Sequence, residues 1–257
     1  QIMTKPHGSF IWYEPITGDA AKALDFYTRV VGWETYSSDG AGFTYHHLRA
    51  PVGEDVGGVM EIADGPPPGW LGYIGVTDVD GQVEEMRAAG GSVHVPPTDI
   101  PNVGRFALVA DPQGVPFYVM RGDHEEASTA FAAEKPGHIG HNELHAEDGA
   151  AAFDFYSGQF GWRKGEGMDM GPMGTYQLFN LSDGTPLGGM MTKTSDFPKA
   201  MWLPYINVED IDAAVERVTA NGGRVLMGPH EVPGGSRIIM GSDHEGALFA
   251  LVAPPRQ

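Results

Sequence analysis

Residues 14–33 (EPITGDAAKALDFYTRVVGW) occur twice in this chain, returning as residues 143–162 (ELHAEDGAAAFDFYSGQFGW). Glu14/Glu143, Asp19/Asp148, Ala23/Ala152, the Asp-Phe-Tyr triplets and the Gly-Trp pairs all coincide at an offset of 129. Self-similarity of this length means a duplicated structural unit, and it leaves few architectures open. Each copy reads as a strand, a short turn, an amphipathic helix and a Gly-Trp stop. Ala23, Leu24, Tyr27 and Val31 have the spacing of one buried helix face. Thr17 or Asp19 can cap the start of that helix, and Gly32 can end it.

The rest of the chain continues the pattern. Residues 10–15, 42–49 and 56–62 read as strands of the first module, and the prolines of residues 63–70 stiffen a connection. A second strand and helix follow at 72–76 and 78–89, stopped by Gly90-Gly91, with strands at 92–96, 104–110 and 115–120. The turn DPQG at 111–114 returns as DHEG at 243–246, after a strand at 205–208 and a helix at 210–220. The expected fold class is α+β: four βαβββ modules in two tandem domains, 1–122 and 137–257. The linker, 123–136, has some helical tendency at 125–134.

A chain of 257 residues with 41% hydrophobic content is long enough for two cores. It has no cysteine, which excludes disulfides, thiolate metal sites and cysteine nucleophiles. A formal charge of −18 disfavours nucleic acid as a partner, because the surface repels phosphates. No apolar run is long enough to span a membrane and no signal pattern opens the sequence, so the expected location is cytoplasmic.

The joint pattern of Asp19, Ala23, Phe26, Tyr27 and Gly32-Trp33, then Val76, Asp78 and Asp80, then Arg105, Asp111, Pro112 and Gly114, resembles the vicinal oxygen chelate superfamily. That family comprises glyoxalase, bleomycin-resistance and extradiol-dioxygenase proteins, and this chain is similar to its tandem two-domain glyoxalase-like members. The resemblance implies that paired modules curl their sheets into a cup. It also implies a divalent metal held by His, Gln or Glu on the first strands and the last strand. Position by position, those ligands fall on Trp12, Leu71 and Tyr118 in the first domain and on His141, Leu203 and Ala250 in the second. One imidazole among six positions predicts that the family metal site is absent.

The stretch HNELH at 141–145 is the local counterargument. His141, Glu143 and His145 share one strand face, but His141 and His145 stand ~13 Å apart, too far for one ion. His141 and Glu143, joined by Tyr205 or His230, remain an alternative site for Zn, Ni, Mn or Fe. Glu14 and Glu143 face inward in both copies, where a carboxylate serves as general base, grips a ligand, or ties structure together. Tyr45/Tyr176 and Tyr73/Tyr205 recur in both domains, with Trp12, His47 and Tyr118 added in the first. These residues suit an aromatic or polar small molecule, or a plain core. Gly57-Gly58 and Gly188-Gly189 fit tight sheet geometry rather than a phosphate loop, and residues 168–173 (MDMGPM) read as an adaptable loop.

Three functions are expected in this order. The first is a protein that binds or sequesters a small molecule. The second is a lyase, isomerase or hydrolase-like enzyme using Glu14 or Glu143 as base. The third is a metal-dependent glyoxalase- or dioxygenase-like enzyme at His141 and Glu143. A monomer is favoured, since tandem duplication brings into one chain the modules that single-domain relatives pair as dimers.

Overall fold

The computed structural model describes residues 7–40 and 42–256. The α+β architecture is the expected one, four βαβββ modules arranged as two eight-stranded sheets. The first module runs through β1 (Phe10–Thr17), α1 (Ala20–Val31), β2 (Glu34–Gly40), β3 (Phe43–Arg49) and β4 (Asp55–Glu61). The second has β5 (Gly69–Gly75), α2 (Val79–Ala88), β6 (Ser92–Ile100), β7 (Gly104–Ala110) and β8 (Pro116–Gly122). Sequence repetition becomes structural repetition in β9 (Ile139–Ala146), α3 (Gly149–Phe160), β10 (Arg163–Asp169), β11 (Thr175–Asn180) and β12 (Pro186–Thr192). The last module is β13 (Met201–Asn207), α4 (Ile211–Ala220), β14 (Arg224–Glu231), β15 (Arg237–Ser242) and β16 (Leu248–Ala253). Strand orders are β2-β3-β4-β1-β5-β8-β7-β6 and β10-β11-β12-β9-β13-β16-β15-β14. In each module the strand before the helix pairs in parallel with the module's last strand, and the three strands after the helix pair antiparallel.

Local chemistry accounts for the helices. Each is capped by an aspartate in extended conformation, Asp19, Asp78, Asp148 and Asp210, whose side chain accepts from a first-turn amide. Gly32 and Gly161 close α1 and α3 in the left-handed region, at φ 88° and 68°, where a Cβ is disfavoured. The buried face of α1 is Ala20, Ala23, Phe26, Tyr27 and Val30, so Leu24 and Val31 lie at its flank rather than at its centre.

The chain divides into two compact units, each drawing on both halves of the sequence. One comprises Gln1–Trp12, Gly72–Ser128 and His141–Trp202; the other comprises Tyr13–Leu71, Thr129–Gly140 and Leu203–Gln257. The repeated Asp-Phe-Tyr triplet supplies the same latch in both. In the first unit Tyr156 Oη donates to Asp111 of the DPQG turn at 2.8 Å and accepts from Trp202 Nε1 at 3.0 Å. In the second, Tyr27 Oη donates to Asp243 of the DHEG turn at 2.6 Å and accepts from Trp70 Nε1 at 3.1 Å. Burial, with the facing carboxylate, pushes both phenols well above their ordinary range, and burial also raises the Asp111 carboxyl. Around these latches the first unit stacks Trp162 on Tyr156 and Phe179, and the second sets Phe249 against Phe26 and Tyr27.

Four sequence expectations are corrected. β2 and β10, the strands directly after the Gly-Trp pairs, were not foreseen as elements. β2 is exposed throughout and β10 nearly so, and their polar sequences carry no apolar alternation to read. The predicted helical tendency at 125–134 is not realised. Neighbouring groups take the linker backbone instead: Asn207 Nδ2 donates to Ala132 O and Lys135 O, His138 Nδ1 donates to Thr129 O, and Phe131 bridges to Ile139. Residues 168–173 are not one loop, because Met168 and Asp169 end β10 and residues 171–173 form a 3-10 turn. β6 also extends beyond its expected end at residue 96, through Ile100.

Candidate functional site

The predicted residues separate by compact unit. Trp12, Tyr73, Tyr118, His141, Glu143 and Tyr176 belong to one; Glu14, Tyr45, His47 and Tyr205 belong to the other.

In the second unit, Glu14 is buried on β1 and its Oε2 accepts from Tyr45 Oη at 2.9 Å. Tyr45 meets His47 edge to face, and His47 stacks on Tyr36 with centroids 4.4 Å apart. Ser38 Oγ lies 3.0 Å from His47 Nε2, and Arg49 covers the other part of the Tyr36 ring. Burial lowers the basicity of His47. Tyr205 is buried on β13, in register with Ala250 of β16.

In the first unit, Trp12 is buried in the core, and Tyr73 of β5 stacks on Tyr118 of β8, its register partner, at 4.2 Å and 9°. The polar chemistry gathers on β9 and β11. Tyr176 Oη lies 2.6 Å from Glu143 Oε2 and 2.7 Å from His141 Nε2. Glu143 Oε1 lies 2.6 Å from His145 Nε2, and the His145 ring stacks on Phe197 at 3.8 Å and 17°. Strand geometry makes this possible, because residues 141, 143 and 145 alternate onto one face of β9. The glycine pair makes it close: a Cβ on Gly188 would collide with the Asn142 carbonyl, and one on Gly189 with the Tyr176 ring. Gly57 and Gly58 do the same for the Tyr13 carbonyl and the Tyr45 ring. The glycines therefore set both tyrosines over their carboxylates.

Proton positions follow from charge. Burial pushes the Glu143 carboxyl up, but the His145 hydrogen bond, the neighbouring imidazoles and the Tyr176 hydroxyl together bring it below its ordinary value. Glu143 is thus a carboxylate near neutrality and only accepts hydrogen bonds. Tyr176 must donate to it, so Tyr176 accepts from His141, whose ring carries its proton on Nε2. Burial lowers His141 basicity and Glu143 pulls part of it back. The polarity runs His141 Nε2–H to Tyr176 O–H to Glu143, with His145 Nε2–H donating from the opposite side.

The donor set does not fit the family's three-ligand metal. Among the described residues no three His, Asp or Glu side chains gather to hold an ion. His141 Nε2 and both Glu143 oxygens are directed at Tyr176 and His145, while of the two suggested third ligands His230 is exposed on edge strand β14 and Tyr205 belongs to the other compact unit. Sequence reasoning placed His145 on the right face but not in the site. Phe197, in the irregular segment between β12 and β13, carried no signal at all.

The chain belongs to the glyoxalase/bleomycin resistance protein/dioxygenase superfamily, whose model matches residues 10–119 and again 138–251. It is 29% identical over 252 residues to the glyoxylase-named protein CFP32 of Mycobacterium tuberculosis, covering 96% of this chain and 95% of that one. It is 30% identical over 262 residues to the anthracycline biosynthesis protein DnrV of Streptomyces peucetius, covering 95% and 93%. Among solved structures, the Mn(II)-bound glyoxalase of Novosphingobium aromaticivorans shares the fold with a TM-score of 0.66 at 15% identity, over 96% of this chain and 82% of that one. A variant of homoprotocatechuate 2,3-dioxygenase from Brevibacterium fuscum does so with a TM-score of 0.65 at 14% identity, over 98% and 72%. Among the described residues, no helix is long and apolar enough to cross a membrane.

Proposed function

We propose that this protein binds, and acts upon, a small aromatic or polar organic molecule without the family metal, and that the second copy of the repeat carries the chemistry. The observation that supports this most directly is the Tyr176 hydroxyl set between His141 and Glu143. Fixed donors and a carboxylate in a largely dry setting are what orient a hydroxyl or carbonyl group of a ligand. The first copy keeps Glu14 and Tyr45 but has Trp12 and Ile16 at the positions of His141 and His145, so it lacks both imidazoles. The similarity to a protein named for anthracycline biosynthesis favours a hydroxylated polycyclic aromatic as the first ligand class to examine.

The test is a thermal-shift and calorimetric panel of hydroxylated anthraquinones and simpler phenols on the full chain. Tyr176→Phe, which removes the hydroxyl bridging His141 and Glu143, should weaken any hit roughly tenfold. Metal content is measured on the same preparation. Near-stoichiometric Mn, Fe, Zn or Ni that disappears in His141→Ala would replace this reading with a metal-dependent enzyme.

A further inference from the structure

We propose that β2 is a self-association edge: it takes the β2 of a second copy of this chain as an antiparallel neighbour, giving a two-fold dimer through one continuous sheet. The inference is independent of which ligand the chain takes, and it departs from the monomer that duplication by itself favours.

The sheets end in four strands, β2 and β6 in one and β10 and β14 in the other. An edge strand offers its outer amides and carbonyls to any chain able to pair with them, and proteins block such edges with prolines, bulges and lysines. Three of these four edges are blocked. β6 contains Pro96 and Pro97 and shifts register with β7 twice. β14 contains Pro229 and shifts register with β15 twice. β10, the counterpart of β2 in the other copy of the repeat, carries Lys164 and shifts register between Lys164 and Gly167. β2 has none of these devices. Its seven residues include no proline and no lysine, and they pair with β3 without a shift, from Glu34 opposite Arg49 to Gly40 opposite Phe43. All seven are exposed, and no strand lies on their outer side among the described residues.

The side chains leave that outer side clear. Tyr36, the largest of them, folds back over its own sheet, with its ring on His47 and its hydroxyl donating to Asp55. Ser38 and Asp39 also turn inward, Ser38 Oγ to His47 Nε2 at 3.0 Å and Asp39 Oδ1 accepting from Thr44 Oγ1 at 2.7 Å. The residue order then favours a second copy as the occupant. Two antiparallel β2 strands engage all seven residues in a single register, with Ser37 on the two-fold axis. Glu34 faces the partner's Gly40, Thr35 faces the partner's Asp39, and Tyr36 faces the partner's Ser38. No carboxylate meets a carboxylate, each Asp39 meets a hydroxyl, and each large side chain meets a small one. Such an isologous contact closes at two copies.

The test uses the full chain at about 0.15 M salt, where repulsion between the two acidic surfaces is screened beyond ~8 Å. Sedimentation over about 1–500 μM should show a reversible monomer–dimer equilibrium. Hydrogen exchange should slow in the β2 amides at the upper end of that range and stay unchanged in β6, β10 and β14. Thr35→Glu sets a carboxylate against Asp39 on both sides of the axis and should weaken the dimer roughly tenfold. Adding Asp39→Lys to that variant should restore it. A monomer throughout would overturn the proposal. So would a dimer whose β2 amides exchange equally fast at both ends of the range, a measurement that needs no variant. A folded Thr35→Glu chain that dimerises like the parent counts against it in the same way. Protection of β2 seen only with an added, unrelated strand peptide would give the edge to a foreign partner and end the self-pairing reading.

Discussion

Tyr176 is the residue on which the polar cluster turns, because one hydroxyl serves two partners, the buried Glu143 and the half-buried His141. Tyr176→Phe leaves both Glu143 and His141 short of a hydrogen bond while changing little volume. The expected cost is about 1–3 kcal/mol, measured by urea unfolding. The same cluster sets an acid limit. Glu143 has a folded pKa below its unfolded value of 4.5. Its contribution is therefore present above that value and lost as pH falls through the folded one. His141, lowered from 6.5, acts in the same sense: the unfolded chain takes up its proton first as pH falls. Unfolding free energy should fall as pH drops below about 6.5 and fall further below about 4.5, and Glu143→Gln should flatten that lower part. Much of this was legible in the sequence. The offset of 129 paired Glu14 with Glu143, and alternation put His141, Glu143 and His145 on one face. The partner of His145 was not legible, since stacking on Phe197 depends on how an irregular segment folds back, with Lys193 Nζ donating to the Phe197 carbonyl.

At the scale of elements, the repeated motif proves to be a joint. The triplet tyrosines of α1 and α3 reach the aspartates of the DHEG and DPQG turns, so two signals that looked like independent turn and helix markers are halves of one contact. Both phenols have folded pKa values above the unfolded 10.0. Their stabilisation is full below that value and lost as pH rises from it toward the folded ones. Tyr27→Phe and Tyr156→Phe should each cost about 1–3 kcal/mol at neutral pH and reduce the loss of stability above about pH 10, followed by circular dichroism. The glycine pairs are a second joint. Gly189→Ala forces the Tyr176 ring off Glu143, with an overpacking cost of about 1–3 kcal/mol. Its acid limb should then resemble that of Tyr176→Phe. Sequence periodicity exposed helices and buried strands because burial writes a pattern into them. It missed β2 and β10 because exposed edge strands have no such face.

For the whole molecule, sequence halves and compact units are different divisions. Residues 1–122 hold Tyr27 but not Asp243, and residues 137–257 hold Tyr156 but not Asp111. Expressed separately, each half should expose the aromatic face of its helix and aggregate or unfold, and expressed together they should co-purify. Two separate halves that stay monodisperse and unfold cooperatively would contradict this. The latches also impose an order in time. Tyr156 finds Asp111 45 positions behind it, so that unit has all its parts once residue 202 has been made. Tyr27 waits 216 positions for Asp243, roughly 10–40 s at ~5–20 residues per second of synthesis. Through that interval an early, amphipathic helix has Trp33 and Trp70 beside it but neither Asp243 nor Phe249 to complete its buried face. Nascent-chain capture should therefore find chaperone on α1, and release should coincide with emergence of the last strand.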